Sequence, residues 1–214
     1  MNNPFDFFDL IFYINLDTRQ DRNKQSLEEF DKVGIKDRVK RISGFTVNEF
    51  TDRQKNAYFG DQLSHACGLE KAKREQARNC LIFEDDVHFV NDTLIILDQA
   101  VKQLPKNWGL FYLGVNTEMP SYQVSSRLAK LTFAYSTHAY AVNGYLFDRL
   151  IDINNNKEMI PFDVSYNSLI IPSYPCFTTI PLIAIQRPSF SNIAGMMKDY
   201  SWMETKFLSN LVRK

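Results

Sequence analysis

Cys80-Leu-Ile-Phe-Glu-Asp-Asp86 decides the fold: four apolar residues run straight into three consecutive acids. An apolar run of that length suits a strand buried on both faces, and the acids then stand at its C-terminal end. Upstream, Leu10-Ile-Phe-Tyr-Ile-Asn-Leu16 has the same continuous, β-rich character. Between the two runs, Leu27, Phe30 and Val33 recur at helical spacing over Asp21 to Val33, with Gly34 as a left-handed stop. A strand is expected within Val39 to Ile42, and a helix from Gln62 to Arg78 with Leu63, Ala66, Cys67 and Leu69 on its inner face.

Downstream, Asp92 to Leu104 reads as a helix capped near Asn91, and Gly109 to Gly114 as another buried strand. Strand and helix alternate, which predicts an α/β fold with a mixed, mostly parallel sheet flanked by helices. Shorter strands, some antiparallel, are expected in Leu128 to Tyr135 and Thr137 to Val142. Phe147 to Ile151 should be helical, Pro172 to Pro188 strand and loop, and Met197 to Val212 a closing amphipathic helix. With 214 residues and neither a repeat nor a low-complexity tract, one globular unit is the expectation.

Hydrophobic residues make up 44% of the chain, enough for a buried core, and 25 Lys plus Arg balance 25 Asp plus Glu. That balance creates no long-range field for nucleic acid or an anionic membrane. Cys67, Cys80 and Cys176 lack C-x-x-C spacing and cannot all pair, which fits a reducing compartment. Asp6 and Asp9 interrupt the apolar N-terminus, unlike a signal peptide, and no stretch reaches the roughly 20 apolar residues of a membrane helix. A cytoplasmic location without membrane insertion is therefore expected. Asn91-Asp-Thr93 fits the glycosylation pattern, which carries no weight without export.

Three adjacent carboxylates repel one another by roughly 3 kcal/mol per pair at about 5 Å and an effective dielectric near 20. In open α/β sheets ligands bind beyond the carboxyl ends of strands, where a divalent cation neutralises such acids. Oxygen ligands suit Mg²⁺ or Mn²⁺, which also bridge nucleotide phosphates. The bland alternative, acids favouring the dipole of the next helix, is weakened because Asp86 precedes Asn91 by five positions. A phosphoacceptor receiver domain would need another Asp at a later strand end, where Gly114 stands.

Tyr13-Ile-Asn-Leu-Asp-Thr-Arg-Gln-Asp-Arg22, Leu63-Ser-His65 and Leu81-Ile-Phe-Glu-Asp-Asp86 together resemble glycosyltransferase family 25, which includes lipopolysaccharide and collagen galactosyltransferases. Thr137-His-Ala-Tyr-Ala-Val142 and Pro161-Phe-Asp163 are similar to its later motifs. Two departures stand out: Asp61-Gln62 replaces the family's Gly-Cys, and Ser191-Asn192-Ile193 replaces Ser-Asp-Ile. The resemblance implies a single Rossmann-like GT-A domain over residues 1–214, with a nucleotide-sugar half to about residue 115 and an acceptor-side half from about 116. Compact GT-A domains of large DNA viruses, fused to further domains, are also similar, which implies a unit of a longer polypeptide.

The resemblance further implies a UDP-sugar donor, a glycan or glycoprotein acceptor, and Mn²⁺ or Mg²⁺ as cofactor. Asp86 would bind the metal, Glu84 the metal or ribose, and Asp85 would join the donor site. Asn15, Leu16, Thr18, Arg19 and Arg22 follow the first strand, where such folds cradle the nucleotide, and Arg suits bidentate contact with diphosphate. Ser64 and His65 would fix the site by hydrogen bonding, and His138 would be a third metal or phosphate ligand, against a structural role on its apolar strand. Asp163 is the expected base for an inverting transfer, a helix cap being the other reading. Loss of turnover, leaving a binding module, and a different metal-dependent phosphotransfer enzyme are the alternatives.

Overall fold

The computed structural model describes residues 3–157, 161–191 and 195–213. Along the chain lie β1 (Leu10–Asn15), α1 (Gln20–Lys32), β2 (Val39–Ser43), α2 (Arg53–Arg74), β3 (Asn79–Glu84), β4 (Val87–Phe89), α3 (Thr93–Gln103) and β5 (Leu110–Tyr112). There follow β6 (Ser121–Gln123), β7 (Leu128–Lys130), β8 (Ala139–Asn143), α4 (Phe147–Asn154), α5 (Phe162–Leu169), β9 (Cys176–Thr179) and β10 (Ala184–Gln186). The last elements are β11 (Ser189–Ser191), β12 (Met196–Lys198), α6 (Met203–Ser209) and β13 (Leu211–Val212).

Nine strands form one mixed sheet in the order β13-β6-β7-β9-β5-β8-β3-β1-β2. Only β7 and β8 run against the other seven, so the mostly parallel α/β sheet expected from the sequence is present. Both faces are apolar, which explains the unbroken hydrophobic runs of β1 and β3. Phe12, Ile14, Ile82 and Tyr140 pack on one face beneath Leu69 of α2 and Leu150 of α4. Ile11, Tyr13, Leu81 and Phe83 pack on the other against Phe30 of α1 and Leu97 of α3.

Two features of this sheet position the site. The parallel strands β1, β2 and β3 end together, with Ile14 opposite Glu84 and Asn15 opposite Ser43. Strand β8 runs antiparallel beside β3, so its beginning meets the end of β3: Phe83 faces Ala139, and the Glu84 amide donates to the His138 carbonyl at 2.9 Å. Strand β5 pairs with β8 on one side and β9 on the other, so segments before and after residue 115 interleave.

Three expectations need correction. The helix expected over Gln62 to Arg78 is α2, which starts nine residues earlier because Asp52 caps it, accepting the Gln54 and Lys55 amides. It stops at Arg74, where Gln76 turns into left-handed backbone at φ 55°. The closing helix expected over Met197 to Val212 is only α6; β12 pairs with β11, and β13 adds to the sheet edge beside β6. Strand β6 and the 3-10 turn at Pro4–Phe7 had no periodic signal to announce them. No helix among the described residues is long and apolar enough to cross a membrane.

Gly114, just past β5, sits where a β-carbon would overlap the Ala184 carbonyl oxygen and the His138 ring. Gly114→Ala is therefore expected to destabilise the fold by roughly 3 kcal/mol or more, read as a lower urea midpoint with an unchanged m-value.

Candidate functional site

The ends of β1 and β3, the loop after β2, the first half of α2, the start of β8 and the N-terminus of α5 surround a cleft of about 1070 Å³. Of the residues singled out in the sequence, Asn15, Leu16, Thr18, Arg22, Ser64, Glu84, Asp85, Asp86 and Asp163 line it. Arg19, His65 and His138 do not.

The three consecutive acids divide the work. Asp85 is anchored: Arg22 Nη1 lies 2.5 Å from its Oδ1, and Asn15 Nδ2 donates to its Oδ2 at 2.8 Å. Its carbonyl accepts from Ser26 Oγ at 3.0 Å and from Arg187 Nη2 at 2.6 Å. The Asn15 amide is fully occupied, because Nδ2 also donates to the Arg19 carbonyl and Oδ1 accepts from Arg41 Nε and Nη2. Its side chain therefore positions Asp85 and has no capacity left for a nucleotide. The Ser64 hydroxyl is likewise engaged, donating to the Gly60 carbonyl and accepting the Phe45 amide, which ties the loop after β2 to α2.

Glu84 and Asp86 carry less compensation. Asp86 is 3.8 Å from Arg22 Nη1 and accepts a long 3.4 Å bond from Gln186 Nε2, while its Oδ1 is buried without a hydrogen-bond partner. Burial, opposed by Arg22 and supported by Asp85, raises its pKa to about 6. Glu84 accepts from Thr137 Oγ1 at 2.9 Å. Burial first, then the fields of Asp61 and Asp86, hold its carboxyl well above the usual range.

Asp163 joins them from the first turn of α5, accepting the Ser136 amide at 3.3 Å and the Val164 amide at 2.8 Å. Burial raises its pKa, and those amide bonds oppose the rise. The segment before β8 thus ties Asp163, through Ser136, to Glu84, through Thr137. Ser136 holds left-handed backbone at φ 71°, a strain of roughly 1–2 kcal/mol for a residue with a β-carbon.

Sequence reasoning missed Asp61, a fourth uncompensated carboxylate lining the cleft. Burial, then Asp163, Asp86 and Asp85, push its pKa up to about 7. The signal lay in its spacing from His65: i and i+4 share a helical face, but only if the helix begins well before Asp61. His65 is fully buried, with Nδ1 3.0 Å from the Tyr140 hydroxyl. Its Nε2, without a hydrogen-bond partner, lies 3.7 Å from Asp61 and 3.9 Å from Glu84. Burial lowers its pKa to about 3, so the ring is neutral and serves as a polar brace behind two acids.

Two further expectations change. His138 is fully buried and its Nε2 meets the Ala184 carbonyl at 3.2 Å, away from the cleft, so it does not join Glu84 and Asp86 as a third ligand. Arg19 directs its guanidinium onto Asp21, at 3.0 and 2.8 Å, and its contribution is the carbonyl that Asn15 grips. His88, on β4, lies 3.2 Å from Glu29 of α1. Of the Ser191-Asn192-Ile193 motif, Asn192 and Ile193 lie outside the described residues.

Among the described residues no three His, Cys, Asp or Glu side chains are grouped to hold an ion by themselves. Two carboxylates, Asp86 with its orphaned Oδ1 and Glu84 held by one bond from Thr137, nevertheless fit Mg²⁺ or Mn²⁺. Such ions take one or two protein carboxylates and complete their shell with substrate phosphate and water.

Two outcomes follow from this electrostatic arrangement. Asp85→Ala would remove the nearest acid from Arg22, whose side chain is only 11% exposed, and is expected to destabilise the protein by about 3 kcal/mol, measured by chemical denaturation. Asp86 and Asp61 release protons near pH 6 and 7 when folded but near 3.8 when unfolded. Across that window the folded chain binds more protons, so stability falls as pH rises. The thermal midpoint of metal-free protein should drop between about pH 4 and about pH 7, and less steeply in Asp61→Asn.

No family model matches the chain. Human procollagen galactosyltransferase 2 is 25% identical over 198 residues, an alignment covering 78% of this chain. The chain spans about a third (32%) of that relative's length. Among solved structures, a glycosyltransferase involved in the glycosylation of the major capsid of PBCV-1 superposes with a TM-score of 0.54 at 8% identity. That superposition covers 86% of this chain and 95% of the other, and it shows a shared fold, the GT-A type of α/β domain.

Proposed function

We propose that this chain is a metal-dependent glycosyltransferase moving a hexose from a UDP-sugar to a glycan or glycoprotein acceptor. One observation carries the reading: Glu84 and Asp86 line a large cleft at the strand ends with their charge only partly compensated, whereas Asp85 between them is gripped by both Arg22 and Asn15. A fold that needed three acids only for structure would pair all of them. The likeness to a galactosyltransferase and the GT-A fold agree with it.

In this reading Glu84 and Asp86 hold Mn²⁺ or Mg²⁺ with the donor's diphosphate, and the loops holding Leu16 and Thr18 frame the nucleotide. The bound ion supplies positive charge where the leaving phosphate becomes more negative. Arg22 balances the charge of Asp85 and holds the strand end in register. Asp163, whose pKa burial raises, takes the proton from the acceptor hydroxyl in an inverting transfer. Thr137 and the Ser136 amide hold Glu84 and Asp163 at fixed separation while this happens.

Isothermal titration of UDP with and without Mn²⁺ tests the proposal. Binding should strengthen about tenfold or more with the metal, and Asp86→Ala should erase that gain. Metal-independent UDP binding, or an unchanged gain in Asp86→Ala, would remove the proposed site.

A further inference from the structure

The hairpin of β11 and β12 brings a cation to the cleft that neither the motifs nor the metal site require. Lys198, the last residue of β12, lines the cleft and pairs in register with Ser189 of β11. Ser189 is tied into the site, since its Oγ accepts from Arg22 Nη2 at 2.6 Å while Nη1 of the same guanidinium grips Asp85. The backbone carrying Lys198 is therefore held one strand away from the anchored acid. Two residues on, Tyr200 also lines the cleft, and its phenol feels Asp86, Glu84 and Asp163. The segment 198–200 thus spans the carboxylate cluster.

Despite five carboxylates on the same cleft, the Lys198 ammonium has no ion-pair or hydrogen-bond partner among the described residues. A lysine that reaches an anionic cleft without closing onto its acids is placed for an anion lying between. Its side chain is partly buried, so its charge is screened less than that of a surface lysine.

We infer that Lys198 is a diphosphate-binding residue of the donor site, in contact with the phosphate that leaves. The inference rests on the nucleotide-sugar reading above. During transfer the bond between the anomeric carbon and the β-phosphate oxygen breaks, and its electron pair stays on that oxygen. The acceptor oxygen bonds the anomeric carbon and gives its proton to Asp163. Lys198 moves no proton; its fixed charge offsets the charge arriving on the phosphate.

Titrations with UDP and with uridine, which shares the base and ribose but lacks phosphate, test this in the presence of Mn²⁺. Lys198→Met should weaken UDP about tenfold and leave uridine unchanged, and Lys198→Arg should retain most of the UDP affinity. Wild-type affinity for UDP in Lys198→Met would overturn the assignment while leaving the donor site standing. An equal loss for UDP and uridine would also overturn it, by showing that the residue only supports the hairpin. Wild-type protein that binds UDP no better than uridine would sink the donor reading itself, and this inference with it.

Discussion

The rim of this cleft depends on one guanidinium. Arg22, on the first turns of α1, meets Asp85 with one nitrogen and Ser189 with another, and comes within 3.8 Å of Asp86. Because Asn15 grips the other Asp85 oxygen and Arg41 grips Asn15, the pair is over-determined from three directions. A buried ion pair of this kind contributes little net stability against an apolar replacement, and its partners cannot be removed singly. What it supplies is placement: with the central acid neutralised, the residual negative charge is concentrated on its two neighbours, both turned to the cleft.

That division explains why the site tolerates so many carboxylates. Glu84, Asp86, Asp61 and Asp163 answer mutual repulsion and desolvation in part by keeping protons, and each pKa is raised. Neutral groups brace them: His65 behind Asp61 and Glu84, Thr137 on Glu84, the Ser136 amide on Asp163. The Tyr166 hydroxyl, donating to Asn154 at 3.1 Å, lies beyond Tyr140 in the same polar seam through an otherwise apolar core. Strain at Ser136 is tolerated where the neighbouring bonds fix both of its sides.

The sequence displayed the parallel half of the sheet plainly, since Leu10 to Leu16 and Cys80 to Phe83 are apolar on both faces and can be little else. It also displayed the acids at the end of β3. It hid their separate roles, because Asp85 differs from its neighbours only through Arg22 and Asn15, which are 63 and 70 positions away. Asp61 was hidden by a helix start that rests on one capping side chain, Asp52. His138 misled for a related reason: strand alternation says which side of a sheet a ring takes, but the close approach of Ala184 at Gly114 decides what it touches. Lys198 lay inside an apparent amphipathic helix, where a lysine attracts no notice, and only the hairpin pairing brings it to the cleft.

Strand β5 has consequences for how the molecule comes into being. It is flanked by β8 and β9, which the ribosome delivers tens of residues later, and the cleft is completed by Lys198 and Tyr200 later still. Non-local pairing of this sort postpones the reward for ordering the chain until most of it has been synthesised. A nascent polypeptide interrupted midway would therefore carry the β3 acid tip and the wall built by α2, and lack the wall built by residues 136–137, α5 and residues 198–200. Its apolar strands would await partners not yet delivered, so the cleft takes shape only once β8, β9 and residues 198–200 have joined.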